Sequence, residues 1–422
     1  MKISDRIKNL NVSPIRKLKP YCDKCKEKNI KVIGFNIGQP DIETPKEFFK
    51  AISEFDETVL SYADSQGIPE LINSTIEYFK RYDVDFEYND IIVTQGASEA
   101  LTFAMATCCD ENDEILLTEP FYANYKNFSD FLNIKLLPIP TYPEDNFSLP
   151  AEGEIQKLIN PKVKAILITN PSNPTGKVLK EKELERLVNI AYRNNLFIIS
   201  DEVYKEFIYC EREKFISMGK FTDFLQNIII IDSISKRYSC CGARIGTVST
   251  KNKKVFDNML KLAQSRLSVA TLEQVGAAAL NKVPLSYFDK TLNEYKHRKE
   301  LIFKKLSEME GVVYTNPEGA FYTIVKLPVD DAEKFIIWTL ENMITTTVLP
   351  ASVRRSSICR RRSTSAKCSP VVGSSRIYSV FPVLRRASSV ASLILCASPP
   401  DNCVEGCPNF TYPSPTSSMV CR

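Results

Sequence analysis

The sequence predicts an α/β protein: a mostly parallel central sheet flanked by helices, followed by a smaller α+β domain. Two observations predict it. Up to about residue 283, short apolar runs rich in β-branched residues alternate with longer amphipathic segments, the pattern of strands joined by right-handed helical crossovers. From Pro284 onward the pattern becomes one long charged helix, a short strand near Ala320–Lys326 and a helix over Asp331–Glu341.

The elements follow in chain order. Ile-Ile-Val-Thr predicts a strand over Ile91–Thr94, and Gly-Ala-Ser then leads into a helix over Ser98–Cys108. Apolar runs predict strands over Ile115–Thr118, Lys164–Thr169, Leu196–Ser200, Ile228–Asp232 and Thr247–Thr250. Helical spacing of apolar residues predicts helices over Lys180–Asn194, Lys253–Ser265 and Leu272–Asn281. The domain reading is an N-terminal segment of the small domain (1–45), a large ligand-binding domain (46–283), the small domain (284–350) and an atypical Ser-, Arg- and Cys-rich tail (351–422).

Composition narrows the chemistry. The chain has 422 residues, 44% hydrophobic and 25% charged, ordinary for a globular protein with a sizeable core. Its 55 basic and 51 acidic side chains leave +4, too small a bias to imply a nucleic-acid or membrane partner. With no spanning-length apolar run and no signal-peptide core near Met1, a cytoplasmic location is expected. The single histidine, His297, lies in a charged helical stretch, so a triad or a His-rich zinc site is not expected. Cys22 and Cys25 form a lone CxxC, and no metal is expected. The chemistry must therefore rest on lysine, carboxylates, tyrosines or a cofactor.

In an open α/β sheet, ligands bind beyond the carboxyl ends of the strands. Four sequences there stand out. Ile230-Ile-Asp-Ser-Ile-Ser-Lys236 ends a strand in a lysine, with Arg244 eight residues on, which makes Lys236 a candidate amine nucleophile. Ile198-Ile-Ser-Asp201-Glu-Val-Tyr204 ends a strand in an acid suited to a cationic ring nitrogen, with Tyr204 able to donate to a ring oxygen; a plain helix cap is the competing reading. Asn170-Pro-Ser-Asn173-Pro-Thr-Gly176 is a rigid turn presenting Asn173 as a donor. Gly96-Ala97-Ser98 opens a helix and offers N–H groups and a hydroxyl to a phosphate, with Arg244 as a second clamp.

An amine, a carboxylate for a ring nitrogen, donors for a ring oxygen and a phosphate cradle match the four handles of pyridoxal 5′-phosphate. On these motifs residues 1–343 resemble the class I/II aminotransferases of pyridoxal-phosphate fold type I, the aspartate and aromatic group. The resemblance implies that Lys236 is the Schiff-base lysine and that Arg244, Ser233, Ala97 and Ser98 hold the phosphate. It implies that Asp201 pairs with the pyridinium nitrogen, that Asn173 and Tyr204 bind the ring hydroxyl, and that Tyr122 stacks on the ring. Gly38 and Asn173 would approach the substrate carboxylate, and Tyr62 would reach the phosphate of a neighbouring subunit, which implies a homodimer with shared sites. The implied reaction moves an amino group from an aspartate-like or aromatic L-amino acid to a 2-oxo acid. A β-lyase or decarboxylase of the same fold, and a catalytically impaired cofactor-binding protein, are the alternatives.

One departure bears on the last alternative. The family has a second, substrate-gripping arginine after a lead-in like Val348-Leu-Pro-Ala-Ser352, but here the following pattern is replaced. Residues 351–422 carry ten basic side chains, two acids and sixteen serines, a net of +8, whereas residues 1–350 carry −4. Arg376 resembles the missing arginine only superficially. An abrupt loss of pattern within a domain is what a frameshift produces, and the sequence beyond about 352 is expected not to be the native C-terminus.

Overall fold

The computed structural model describes residues 1–342, except 9, 11–13 and 211–213, together with 392–396. Val348–Ser352, Arg376 and nearly all of the tail lie outside the described residues. The chain divides into two compact units: Met1–Asn11, Gln39–His297 and Thr315–Thr323 form the first, and Val12–Gly38, Arg298–Tyr314 and Ile324–Arg422 the second.

The first unit is built on seven strands: β1 (Ile91–Gln95), β2 (Glu114–Glu119), β3 (Lys135–Pro140), β4 (Val163–Thr169), β5 (Phe197–Asp201), β6 (Ile228–Ser233) and β7 (Ile245–Ser249). Their order is β1-β7-β6-β5-β4-β2-β3, with β7 antiparallel to both neighbours and the β6-β5-β4-β2-β3 run parallel. All six strands expected from the sequence are present, each shifted by a residue or two at its ends.

Strand β3 was not expected. Its sequence, Lys-Leu-Leu-Pro-Ile-Pro, carries two prolines that cannot donate to a ladder. It is tolerated because β3 is the edge strand and pairs on one side only, with β2.

Both faces of the sheet are buried, as parallel sheets require. Alternation sends Ile166, Ile198 and Ile230 into one apolar cluster and Ala165, Leu167, Ile199, Ile229 and Ile231 into another. The helix Pro69–Lys80 packs Ile72 and Phe79 into the first cluster, while Gly96–Cys108 places Leu101, Ala104 and Met105 in the second. The expected helices occur as Gly96–Cys108, Glu181–Arg193, Lys253–Ser265 and Thr271–Ala278, the last continued by a 3₁₀ turn over Ala279–Lys282.

In the second unit β8 (Val313–Tyr314) pairs antiparallel with the end of β9 (Tyr322–Lys326), and Ser392–Cys396 adds a further strand, β10, next to β9. The strand in the tail was not anticipated, because that region has no sustained period. Leu306, Val325 and Leu327 form a small core with Phe335 and Ile336 of the helix Ala332–Asn342. Cys25 Sγ lies 3.1 Å from the Leu340 carbonyl. Gly38 belongs to this second unit.

Gly176 sets how the 315–323 segment docks within the first unit. It has φ +69°, and its carbonyl accepts from Glu318 N (2.9 Å) and Gly319 N (2.8 Å). A Cβ here would fall 2.2 Å from Pro317 Cβ. We expect Gly176→Ala to destabilise the protein by about 2–4 kcal/mol, from left-handed backbone strain plus overpacking. Denaturant unfolding measures this, and a change under about 0.5 kcal/mol, the range of an ordinary surface substitution, would refute it.

Candidate active site

The carboxyl ends of β1, β4, β5 and β6, and the amino end of antiparallel β7, lie along one edge of the sheet. All four motifs from the sequence follow these ends. Asp201 is the last residue of β5 and is buried; its backbone oxygen accepts from Asn170 N (3.0 Å), which ties it to the turn after β4. Its Oδ2 accepts from the Tyr125 hydroxyl (2.7 Å) and its Oδ1 from Val203 N (3.3 Å). Burial pushes this carboxyl up to about 6; the hydrogen bonds from Tyr125 and Val203 and the charge of Lys236 oppose the rise, while Asp232 adds to it. The competing helix-cap reading does not hold, since the residues directly after Asp201 form a turn rather than a helix and the carboxylate instead faces Tyr125.

Lys236 stands on a single turn, Ile234–Arg237, directly after β6. Its Nζ lies 5.8 Å from the centre of the Tyr204 ring and 6.0 Å from that of Phe321. Ser233 caps this turn: its Oγ accepts from Ser235 N (3.1 Å) and lies 2.8 Å from both Ser235 Oγ and the Ile245 carbonyl. Asn173 donates through Nδ2 to the Tyr204 hydroxyl (3.3 Å), which lies 2.7 Å from the hydroxyl of Tyr322. The structure thus brings Lys236, Tyr204, Phe321 and Tyr322 together, and Asn173 with them.

A second pole lies at the start of the helix Gly96–Cys108. Arg244 has φ +55° just before β7, and a Cβ built on Gly96 would fall 2.3 Å from its Nη2. A Cβ on Gly246 would meet the Gly96 carbonyl carbon at 2.6 Å and Ala97 N at 2.7 Å. Two glycines therefore let a guanidinium and a helix N-terminus, carrying Ala97 and Ser98, approach one another. Both present positive charge, an arrangement that suits a bound anion between them. Tyr122 meets Tyr125 edge-on (centroids 5.4 Å apart) and accepts from Asn124 Nδ2 (2.8 Å). Tyr62 is 81% exposed.

Sequence reasoning missed three participants. Tyr125 lies three residues after Tyr122, yet it holds Asp201 and lies 2.6 Å from Thr169 Oγ1. Phe321 and Tyr322 belong to the 315–323 segment, which is docked through the Gly176 contact. Distant pairing of this kind leaves no mark in local spacing.

These groups match the donors and acceptors of pyridoxal phosphate: an anion cradle, a buried carboxylate, an amine and paired hydroxyls. The family profile described as aminotransferase class I and II matches residues 30–360. A probable aspartate/prephenate aminotransferase of Aquifex aeolicus is 33% identical over 328 residues, covering 76% of this chain and 82% of the relative. An aromatic-amino-acid aminotransferase 2 of Thermococcus litoralis is 30% identical, covering 78% and 84%. The solved alanine aminotransferase of Pyrococcus furiosus superposes with a TM-score of 0.75 at 31% identity, covering 81% of this chain and 89% of its own.

The fold is that of the fold-type I pyridoxal-phosphate enzymes. The chain belongs to the class I and II aminotransferases, which use pyridoxal phosphate to move an amino group between an amino acid and a 2-oxo acid.

The acidic residues behind the site give a pH-dependent signature. Glu202, buried beside Asp201, is pushed up to about 7 by desolvation, which Lys205 and bonds from Met218 and Ser217 partly oppose. A carboxyl whose pKa is higher folded than unfolded contributes most stability below its unfolded value, and that contribution is lost as pH rises through the folded value. For Asp201, which rises from 3.8 to about 6, the effect is on the order of 3 kcal/mol. In cofactor-stripped protein, the unfolding free energy of wild type minus that of Asp201→Asn should therefore fall by about this amount between about pH 4 and pH 7. A constant difference across that window would contradict the assignment.

Proposed function

We propose that this chain transfers the amino group of an aspartate-like or aromatic L-amino acid to a 2-oxo acid, acting as a cytoplasmic homodimer. The observation that carries this reading is the placement of Lys236, buried Asp201 and the Arg244–helix pole along one sheet edge. Names of relatives at 30–33% identity, aspartate/prephenate and aromatic-amino-acid aminotransferases, support the donor class. The exposure of Tyr62 supports its reaching a partner's site, and among the described residues no helix is long and apolar enough to cross a membrane.

Pyridoxal phosphate supplies an aldehyde that binds amines covalently and a ring that accepts the electron pair of a deprotonated substrate carbon. Lys236 would anchor that aldehyde and, once displaced by substrate, use its amine to take and return the Cα proton. Asp201 would keep the ring nitrogen protonated; a cationic partner offsets the desolvation that raises its carboxyl, and the Tyr125 hydroxyl keeps Oδ2 an acceptor. Asn173 and Tyr204 would hold the ring oxygen, and Tyr122 the ring face. Arg244 and Ser233 would hold the phosphate, with Ala97 and Ser98 at the helix start. Gly38 and Asn173 would approach the substrate carboxylate.

We read the sequence beyond about residue 352 as out of the native frame. The family profile stops at residue 360, which supports this, as does the change from −4 before residue 351 to +8 after it. Sequencing the gene across the codons for Met343 to Ser356 should reveal the shift, and one intact frame with the tail expressed would refute it.

Purified protein supplied with pyridoxal phosphate should absorb in the visible, and borohydride should bleach that band while leaving the cofactor covalently attached. Lys236→Ala should lose the borohydride-fixed label and at least about 10²–10⁴-fold of transamination rate. A wild-type protein that takes up no label would sink the reading. Pyruvate and ammonia released without a 2-oxo acid acceptor would identify a lyase instead.

A further inference from the structure

Lys236 rides on a turn of four residues, too short to hold its own shape as an isolated helix. The next residue, Arg237, enters a buried group of charges behind the site. Its Nη1 lies 2.6 Å from Asp232 Oδ2 and 3.0 Å from the Ser233 carbonyl, and its guanidinium sits 3.9 Å from the centre of the Tyr78 ring. Asp232, in β6 and 1% exposed, turns its other oxygen toward Lys205 Nζ at 3.4 Å. Lys205 comes from the segment after Asp201. It stands 4.3 Å over the Phe79 ring and 3.9 Å from Glu202 Oε2. Glu202 is itself fixed by Ser217 Oγ (2.9 Å) and Met218 N (2.9 Å). The nearby titratable groups are Tyr78, which donates to Glu206 (2.7 Å), Tyr82, Tyr238 and Arg81, 3.7 Å from Glu206.

One carboxylate is thus shared by a cation from the lysine-bearing turn and a cation from the segment that follows Asp201. Apolar side chains could fill the same volume at similar stability. A guanidinium nitrogen that donates at once to a carboxylate and to the Ser233 carbonyl adds direction that such packing lacks. We propose that the Asp232–Arg237 pair is a positioning device for Lys236: it locks the single turn so that the amine is aimed at its target. The proposal rests on the reading of Lys236 as the residue that binds the cofactor aldehyde.

The test follows capture of that aldehyde by cofactor-stripped protein. The Lys236 nitrogen bonds the aldehyde carbon with loss of water, and borohydride then delivers hydride to the C=N bond, leaving a stable label. Arg237→Lys keeps the charge but loses the planar guanidinium that reaches both the Asp232 carboxylate and the Ser233 carbonyl, and Arg237→Met with Asp232→Asn removes both charges together. If either variant fails to fold, the other carries the test. In folded variants assayed well below their Tm we expect capture rate and kcat to fall about tenfold or more, as a misplacement of order 1 Å would cause, with KM nearly unchanged. Wild-type capture rate and kcat in a variant whose Tm alone has dropped would overturn the inference, because the pair would then serve stability only. A wild-type chain that captures no aldehyde would overturn the reading of Lys236, and this inference with it, which separates the two failures.

Discussion

A carboxylate carried to the end of a buried strand is the constraint on which this site depends. Asp201 lies beyond the reach of solvent, and desolvation alone disfavours its charge. A carboxylate in that position needs donors, and they come from separate parts of the chain: the Tyr125 hydroxyl and the Val203 amide. Its position is set by parallel pairing of β4, β5 and β6, in which Thr169 lies opposite Asp201, and Asp201 opposite Ile231. Holding a charge in so poor a solvent costs stability and makes the site ready for a cationic ring.

The same edge of the sheet carries a second, opposite demand. At the start of the helix Gly96–Cys108 a guanidinium and helix amides crowd together, with no room for a side chain at Gly96 or Gly246. Positive groups at that spacing repel one another until an anion lies among them. The sheet thus presents a negative group in its middle and a positive pole on the β1 side, a match in charge to a cofactor with a cationic ring at one end and a phosphate at the other.

Behind both lies a buried set of charges, Glu202, Lys205, Asp232 and Arg237, that adds no apolar area to the core. Burial pushes the Lys205 ammonium down from its ordinary value, whereas Asp232 is held low by Arg237 and Lys205 despite its burial. Such a group has value only if its geometry is kept, since removing one member leaves its partner charged in a dry interior. Aromatic faces of Tyr78 and Phe79 complete the enclosure.

Much of this was legible in the sequence because strand and helix periods are local, and because Lys236, Asp201, Asn173 and Gly96 each follow a strand within a few residues. Runs such as Ile228–Asp232 declare a buried parallel strand through composition alone. Edge strand β3 was not legible: its prolines argue against pairing unless the far side is known to be unpaired. Nor were Tyr125, Phe321 and Tyr322, whose roles arise from contacts across many residues of chain. Sequence alone determined which side chains stand at the ends of strands, since that depends on neighbours in the chain. Tertiary structure decided which of those ends meet, because strand order and register are set by packing between segments that carry no record of one another.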